Sequence, residues 1–235
     1  MKILAVGCHP DDLEISCFGT LAKYASRGDK VSVCVVSNGN LGHEEISKEE
    51  LGIIRIGEAR AAAELIGADF YPLDTDDLHA DAFDEDLIVK LTRVIRRTDP
   101  DLIITHGEND YHPDHIETYK AVFRASFAAS VGHYDPEITE PPTGVPPIMI
   151  MDNLTGANFI PTHYVDISDF IDVKLKALSL HKSQVEWMLY HDHLDFMDMV
   201  KTCSKARGYQ CGCAYAEGFR ACVSYGRMTV KDLLP

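Results

Sequence analysis

Short, wholly apolar runs recur between helical stretches from Lys2 to Ser130, and few folds accept that pattern. Lys2–Cys8 and Leu102–Thr105 are continuous apolar runs, Lys30–Ser37 is β-branched and apolar, and Asp69–Pro72 is shorter. Each is too short for a helix and reads as a strand. Between them, Leu13–Arg27 has helical composition and stops at Gly28, and Glu49–Ile66 stops at Gly67, the residue type that best closes a helix. Asp84–Arg97 carries an apolar face at Leu87, Leu91, Val94 and Ile95 and is closed by Pro100, and Pro113–Ser130 is a further helix. Near-continuous apolar strands belong in a sheet covered on both faces, and strand–helix–strand units at this spacing build parallel crossovers.

The expected fold is therefore α/β: a Rossmann-like, mostly parallel sheet flanked by helices, with a C-terminal elaboration. Pro136, Pro141, Pro142, Pro146 and Pro147 make Asp135–Pro147 a loop. Beyond it, Ile148–Met151 and Tyr164–Ile167 read as strands, and Asp169–His181 and Ser183–Gly208 as helices. With no internal repeat and no linker composition, residues 1–235 read as a single domain.

In such sheets ligands bind beyond the carboxyl ends of the strands. That rule brings three distant segments to one rim: His9–Asp12, Asn38–Gly42 and His106–His115. Two of them carry the most reactive residues of the chain, His9-Pro10-Asp11-Asp12 and His112-Pro113-Asp114-His115. Two histidines and one carboxylate with an open position make a catalytic zinc site, and His9, Asp12 and His115 are the candidate ligands. Asp11 then lies beside the metal-bound water, placed to take its proton. One such motif alone reads equally well as a turn whose carboxylate caps the helix near Leu13; two, each at a strand–helix junction, favour the metal. Gly7-Cys8-His9-Pro10 is not a dinucleotide turn, since proline and two carboxylates oppose a pyrophosphate.

The balance of charges narrows the partners. Lys and Arg number 22 against 37 Asp and Glu, a net charge of −15, which repels nucleic acid and anionic membranes. No apolar stretch is long enough to span a bilayer, and the N-terminal run ends at His9 before a signal-peptide cleavage site. Seven cysteines in a chain this long suggest reduced thiols and a cytoplasmic location. Cys8 and Cys34 read as core residues. Cys203, Cys211, Cys213 and Cys222 lack the paired two-residue gaps of a zinc knuckle and read as ordinary thiols.

The paired motifs resemble those of the PIG-L/LmbE-like zinc deacetylases, which remove acetyl groups from N-acetylglucosaminyl substrates. The resemblance continues at Arg55-x-x-Glu58, Pro100-Asp101-Leu102, Val165-Asp166-Ile167-Ser168, His181-Lys182-Ser183-Gln184 and Tyr215-Ala216-Glu217-Gly218-Phe219. The later segments are most similar to the branch that includes the bacillithiol-pathway deacetylases. The resemblance implies zinc on His9, Asp12 and His115, with ferrous iron as the other metal such a set accepts. It implies Asp11 as general base, His112 as oxyanion stabiliser or proton donor to the leaving amine, and Asp114 as a residue that orients or charge-balances a histidine. Arg55 matches a position that faces the sugar; the plainer reading is a surface ion pair with Glu58. A homo-oligomer, trimer or hexamer, and an amino-sugar substrate are implied with it. Two departures stand out: Asp135–Pro147 holds no arginine, and Asp110 stands where some relatives carry a tyrosine, with Tyr111 one residue on. Other readings are an amidase for a different N-acyl or thiol-conjugate amide, a non-catalytic metal- or ligand-binding domain, and a two-metal phosphoesterase. Among the remaining aromatic and histidine residues, Trp187 is expected in the core in preference to a sugar face, His43 in a solvated loop, and His191 and His193 in a helix interior or an exposed turn.

Overall fold

The computed structural model describes residues 1–229 and 232–235. Seven strands form one sheet: β1 (Lys2–Gly7), β2 (Lys30–Ser37), β3 (Asp69–Thr75), β4 (Leu102–Thr105), β5 (Ile148–Met151), β6 (His163–Asp166) and β7 (Ala216–Ala221). Their order is β3-β2-β1-β4-β5-β7-β6. The first five run parallel, and β7 is antiparallel to both β5 and β6. The mostly parallel α/β sheet expected from the sequence is present, with the C-terminal addition extending one edge.

The alternation along each strand divides the core. Ile3 and Ala5 of β1 pack on one face with Val31, Val33 and Val35 of β2, while Leu4 and Val6 pack on the other with Cys34 and Val36. The first face is covered by Phe18 and Leu21 of α2 (Phe18–Ser26) and Ala59, Ala62 and Ala63 of α3 (Lys48–Glu64). The second is covered by the Leu87, Leu91, Val94 and Ile95 stripe of α4 (Glu85–Thr98) and by Ala121, Val122 and Ala125 of α5 (Pro113–Ala128). Helices on both faces make the sheet doubly wound. The chain winds outward from β1 in one direction and from β4 in the other, so the crevice falls between the carboxyl ends of β1 and β4.

Several elements differ from expectation. The Leu13–Arg27 helix is two, α1 (Asp12–Ser16) and α2, broken at Cys17. The cause lies at the far end of the sequence. Glu217 of β7 accepts hydrogen bonds from Gly19 N (2.9 Å) and Thr20 N (2.7 Å), so α2 starts on a carboxylate brought in by the sheet. The Ser183–Gly208 helix is also two, α7 (Lys182–His191) and α8 (Phe196–Cys211), with α6 (Ile171–Leu178) before them. Asp195 caps α8 by accepting from Asp198 N, and His193 in the link has φ +54°. β7 had no strand signal, because its Glu217 is a buried charge, held by Lys174 Nζ at 2.5 Å. β3 runs past Pro72 to Thr75; it is an edge strand, where proline is tolerated. Trp187 is not in the core. It is partly exposed and stacked between the rings of His43 and His191, at 4.0 and 4.6 Å. No helix among the described residues is long and apolar enough to cross a membrane.

Candidate metal centre

The turn after β1 places the first motif. Asp11 adopts φ +113°, a left-handed conformation strained for a residue with a Cβ. Its carboxylate caps no helix end, which removes the capping reading of this motif. Asp12 Oδ2 instead accepts from His9 N at 2.6 Å, locking the turn. The second motif opens α5: Pro113 stands in the first turn, and His112 Nδ1 accepts from Asp114 N at 3.3 Å. In the neutral ring the proton is therefore on His112 Nε2.

These turns bring three predicted ligands together. His9 Nδ1 lies 3.2 Å from His115 Nε2 and 3.6 Å from Asp12 Oδ2, and His115 Nε2 lies 3.2 Å from Asp12 Oδ1. Donors bonded tetrahedrally to one ion at about 2.0–2.1 Å stand about 3.3 Å apart, which the His9–His115 edge matches; Asp12 meets the two histidines through different oxygens, Oδ2 and Oδ1. His112 and Cys8 also lie near, in overlapping donor groups with His9, His115 and Asp114; His106 joins Asp12 and His115 in another.

The electrostatics fit a cation in that triangle. Four carboxylates (Asp12, Asp77, Asp110 and Asp114) converge on His9 and His115, and a fifth, Asp11, pairs with the Arg55 guanidinium. Burial alone would lower the pKa of His115, but Asp12 and Asp110 outweigh it and push it up to about 10. His9 is also raised against its burial by Cys8, Asp114, Asp12 and Asp77. Burial raises the Asp12 carboxyl, but His115 and His106 hold it well below the usual carboxylate range. Two imidazole nitrogens 3.2 Å apart cannot both point a proton at each other. A shared divalent ion would accept both lone pairs and balance the carboxylates.

Around the triangle, Asp77 Oδ1 and Asp114 Oδ2 lie 3.1 and 3.3 Å from His9 Nε2, the nitrogen facing away from the triangle. Asp114 also accepts from Leu78 N at 2.7 Å. Asp110 Oδ1 stands 3.0 Å from His115 Nδ1 in the same way. Carboxylates so placed fix ring orientation and raise donor basicity. The sequence reading missed Asp77 because it ended β3 at Pro72. With the strand drawn to Thr75, the strand-end rule places Asp77 at the rim. It also gave no site role to His181, which is buried, faces Glu14 at 3.3 Å and adds its field at Asp11; the His181-Lys182-Ser183-Gln184 resemblance marks the segment but not that role. His106, noted only for its place at the strand end, lies 3.1 Å from Asp12 Oδ2.

Arg55 is not on the helix surface. It is buried, donating from Nη1 to Gly39 O (3.0 Å) and from Nη2 to Pro10 O (2.7 Å) and Asp11 Oδ2 (3.2 Å). Gly39 makes room for it: a Cβ there would fall 2.5 Å from Nη1. Glu58, the partner expected on the surface, binds Ser183 N and Oγ instead. Burial raises the Asp11 carboxyl, Arg55 opposes it, and the balance leaves a pKa of about 6. The three rim segments thus meet as expected. Above them lies a cavity of about 220 Å³, walled by Gly42, Tyr111, Gln184, Met188 and Phe196.

A doubly wound sheet with a histidine–carboxylate cluster at its switch point defines an α/β protein with a candidate cation site. Residues 4–126 match the family model described as PIG-L, GlcNAc-PI de-N-acetylase, and the chain belongs to that family. It is 28% identical to the diacetylchitobiose deacetylase of Thermococcus kodakarensis over 229 residues, covering 93% of this chain and 82% of the relative. It is 30% identical to the probable N-acetyl-alpha-D-glucosaminyl L-malate deacetylase 2 of Bacillus cereus, covering 81% and 87%. Among solved structures, the 4-carboxy-2-hydroxymuconate hydratase of Pseudomonas putida KT2440 superposes with a TM-score of 0.83 at 25% identity, covering 99% of this chain and 100% of that one.

Proposed function

We propose that the protein is a metal-dependent hydrolase that removes the acetyl group from an N-acetylglucosamine-type sugar or conjugate. The observation that carries this reading is the His9–Asp12–His115 donor triangle with the Asp11 carboxylate beside it, in a chain of the de-N-acetylase family. His9, Asp12 and His115 would hold the ion, zinc or ferrous iron. The chemistry such an ion supplies when bound is Lewis acidity toward the acetyl carbonyl and a lowered pKa for the attacking water.

The chain's own residues do the rest. Asp11 accepts the water proton. Its pKa of about 6 supports the role, since it is ionised at neutral pH and still a competent base. Arg55 holds that carboxylate in place by its 3.2 Å contact from Nη2. His112 donates from Nε2 to the developing oxyanion. Burial lowers its pKa, and His9 and His115 lower it further, so the ring is neutral, which favours this role over protonating the amine. Asp114 and Asp77 orient His9, and Asp110 orients His115.

The test pairs metal analysis with turnover. Asp11→Asn is expected to keep the metal content of the parent and lose about 10²–10⁴ in kcat on an N-acetylated amino sugar. Parent-like activity in that variant removes Asp11 as the base. The hydratase similarity, which spans the full chain, supports a second reading: addition of water to an unsaturated, carboxylate-rich acid. Against it, both terminal nitrogens of Arg55 in the cavity are already engaged by Asp11 and two carbonyls. Assay of N-acetylglucosamine, its malate and inositol conjugates, diacetylchitobiose, a thiol-conjugate amide and a carboxymuconate separates the readings by product.

A further inference from the structure

The four late cysteines do not stay equivalent once the chain is folded. Cys211 and Cys213 come into contact, with their Sγ atoms 3.6 Å apart. Cys222 instead faces the Tyr119 hydroxyl at 3.6 Å. Among the described residues no other two cysteine sulfurs touch. The pair lies at the far end of α8 from the cation site: Phe196, which opens that helix, walls the site cavity about 22 Å away along the helix axis.

The backbone sets the contact. Cys211 is the last residue of α8, and Gly212 closes the helix in the left-handed region, at φ 85° and ψ 27°. Gly212 N and Cys213 N both donate to Gly208 O, at 2.8 and 3.0 Å, so the chain folds back on the last turn. The fold-back is pressed onto the helix: a Cβ on Gly208 would fall 2.7 Å from Cys213 O and 2.8 Å from Ala214 O. The two sulfurs are thus held together before any reaction, and closing a bond of about 2.05 Å takes a small side-chain rotation. Cys211 is exposed and open to an external reagent, while Cys213 is partly covered. Burial, the contact with Cys211 and the Asp166 carboxylate push the Cys213 thiol up to about 11. Cys211 is therefore the sulfur that attacks first. No third histidine, cysteine or carboxylate donor among the described residues stands close enough to both sulfurs to complete a metal site, which leaves sulfur–sulfur chemistry.

We propose that Cys211 and Cys213 form a redox-modification site that reacts with low-molecular-weight disulfides and passes between dithiol and disulfide. With oxidised glutathione, the Cys211 thiolate attacks one sulfur, the glutathione S–S bond breaks, and one glutathione leaves as its thiolate. Cys213 then gives its proton to solvent and attacks Cys211 Sγ. The Cys211–Cys213 bond forms as the second glutathione leaves, and both released thiolates take up protons. Two protein thiols are oxidised and one disulfide is reduced. The new ring spans only Cys211, Gly212 and Cys213, and strained, exposed bonds of that kind are the ones that small thiols reduce again.

The test uses the whole chain in mixtures of oxidised and reduced glutathione at neutral pH. Digestion after lysine and arginine gives the peptide Gly208–Arg220, which carries this pair and no other cysteine. In the parent that peptide should become two hydrogens lighter, hold no glutathione, and revert when reduced glutathione is added. Cys213→Ser removes the resolving sulfur, so glutathione retained on Cys211 should be at least about tenfold more abundant than in the parent. Cys211→Ser should give neither the internal bond nor that adduct. A parent peptide that keeps glutathione without closing the bond would overturn the proposal, as would a pair left unmodified while Cys203 or Cys222 reacts. The readout is a peptide mass, so it stands apart from the hydrolase reading.

Discussion

Removing the charge of Arg55 should move the acid limb of the pH–rate profile. Arg55 Nη2 sits 3.2 Å from Asp11 Oδ2, and both side chains are buried. At that distance, with an effective dielectric constant of about 20, the attraction has a ceiling of about 5 kcal/mol. A guanidinium beside an aspartate lowers its pKa by about 1–3 units in practice, or about 1.4–4 kcal/mol. Asp11 stands at about 6 with Arg55 in place. In Arg55→Gln it should therefore rise into the range of about 7–9. The sign follows from the chemistry: the base works as the carboxylate, so a higher pKa carries the acid limb to higher pH. At pH 7 the ionised fraction falls from about nine tenths to about one tenth for a two-unit shift, a loss of about tenfold in kcat/KM that recovers near pH 9. Arg55→Lys keeps a charge and should keep the limb near the parent's. A bound cation lowers the limb in parent and variant together, so the shift between them is what the assay reads. The profile of kcat/KM from pH 5 to 10 decides the matter. A lower plateau with an unmoved limb, or a rise confined to KM, would refute the coupling and return Arg55 to the sugar-facing role implied by resemblance.

Two further outcomes follow from the same geometry. Asp77→Ala releases one of the carboxylates on His9 Nε2 and should weaken metal binding by about 10–100-fold, read by competition with a chromogenic chelator, with turnover restored at saturating metal; undiminished affinity would mean Asp77 does not orient His9. Glu217→Gln leaves Lys174 charged and buried and weakens the start of α2, so urea unfolding should show a loss of about 3–5 kcal/mol; a loss below about 1 kcal/mol would show that α2 does not depend on that carboxylate.

What the sequence made legible was what depends on strand order and strand ends. His9–Asp12 and His106–His115 could be placed at one rim because parallel crossovers leave a single edge for turns that carry function. The same logic failed at Asp77 only because Pro72 was taken as the end of β3. Residues that meet the site from elsewhere were not legible. His181 and Glu14 meet because α1 packs against α6, whose end carries the turn of His181; Glu14 sits in no motif, and the His181-Lys182-Ser183-Gln184 resemblance gives His181 no role at the site. The break at Cys17 is set by Glu217, 200 residues later, and no local propensity records it. Trp187 is expected in the core, whereas it is partly exposed, with its ring stacked on His191 and close to His43.

The left-handed backbone of Asp11 has a consequence for how this fold can change. Glycine is the residue that adopts φ +113° without strain, and Asp11→Gly also removes a buried carboxylate whose ionisation burial opposes. A single codon change could thus leave the metal ligands in place and ease the turn while abolishing proton abstraction. The turn's backbone alone favours glycine, but that change would leave the buried Arg55 guanidinium without its carboxylate, so the ion pair holds the aspartate there alongside the base role proposed for it. Residue 11 is accordingly where a descendant of this chain would first record that it had become a carrier or sensor of its sugar.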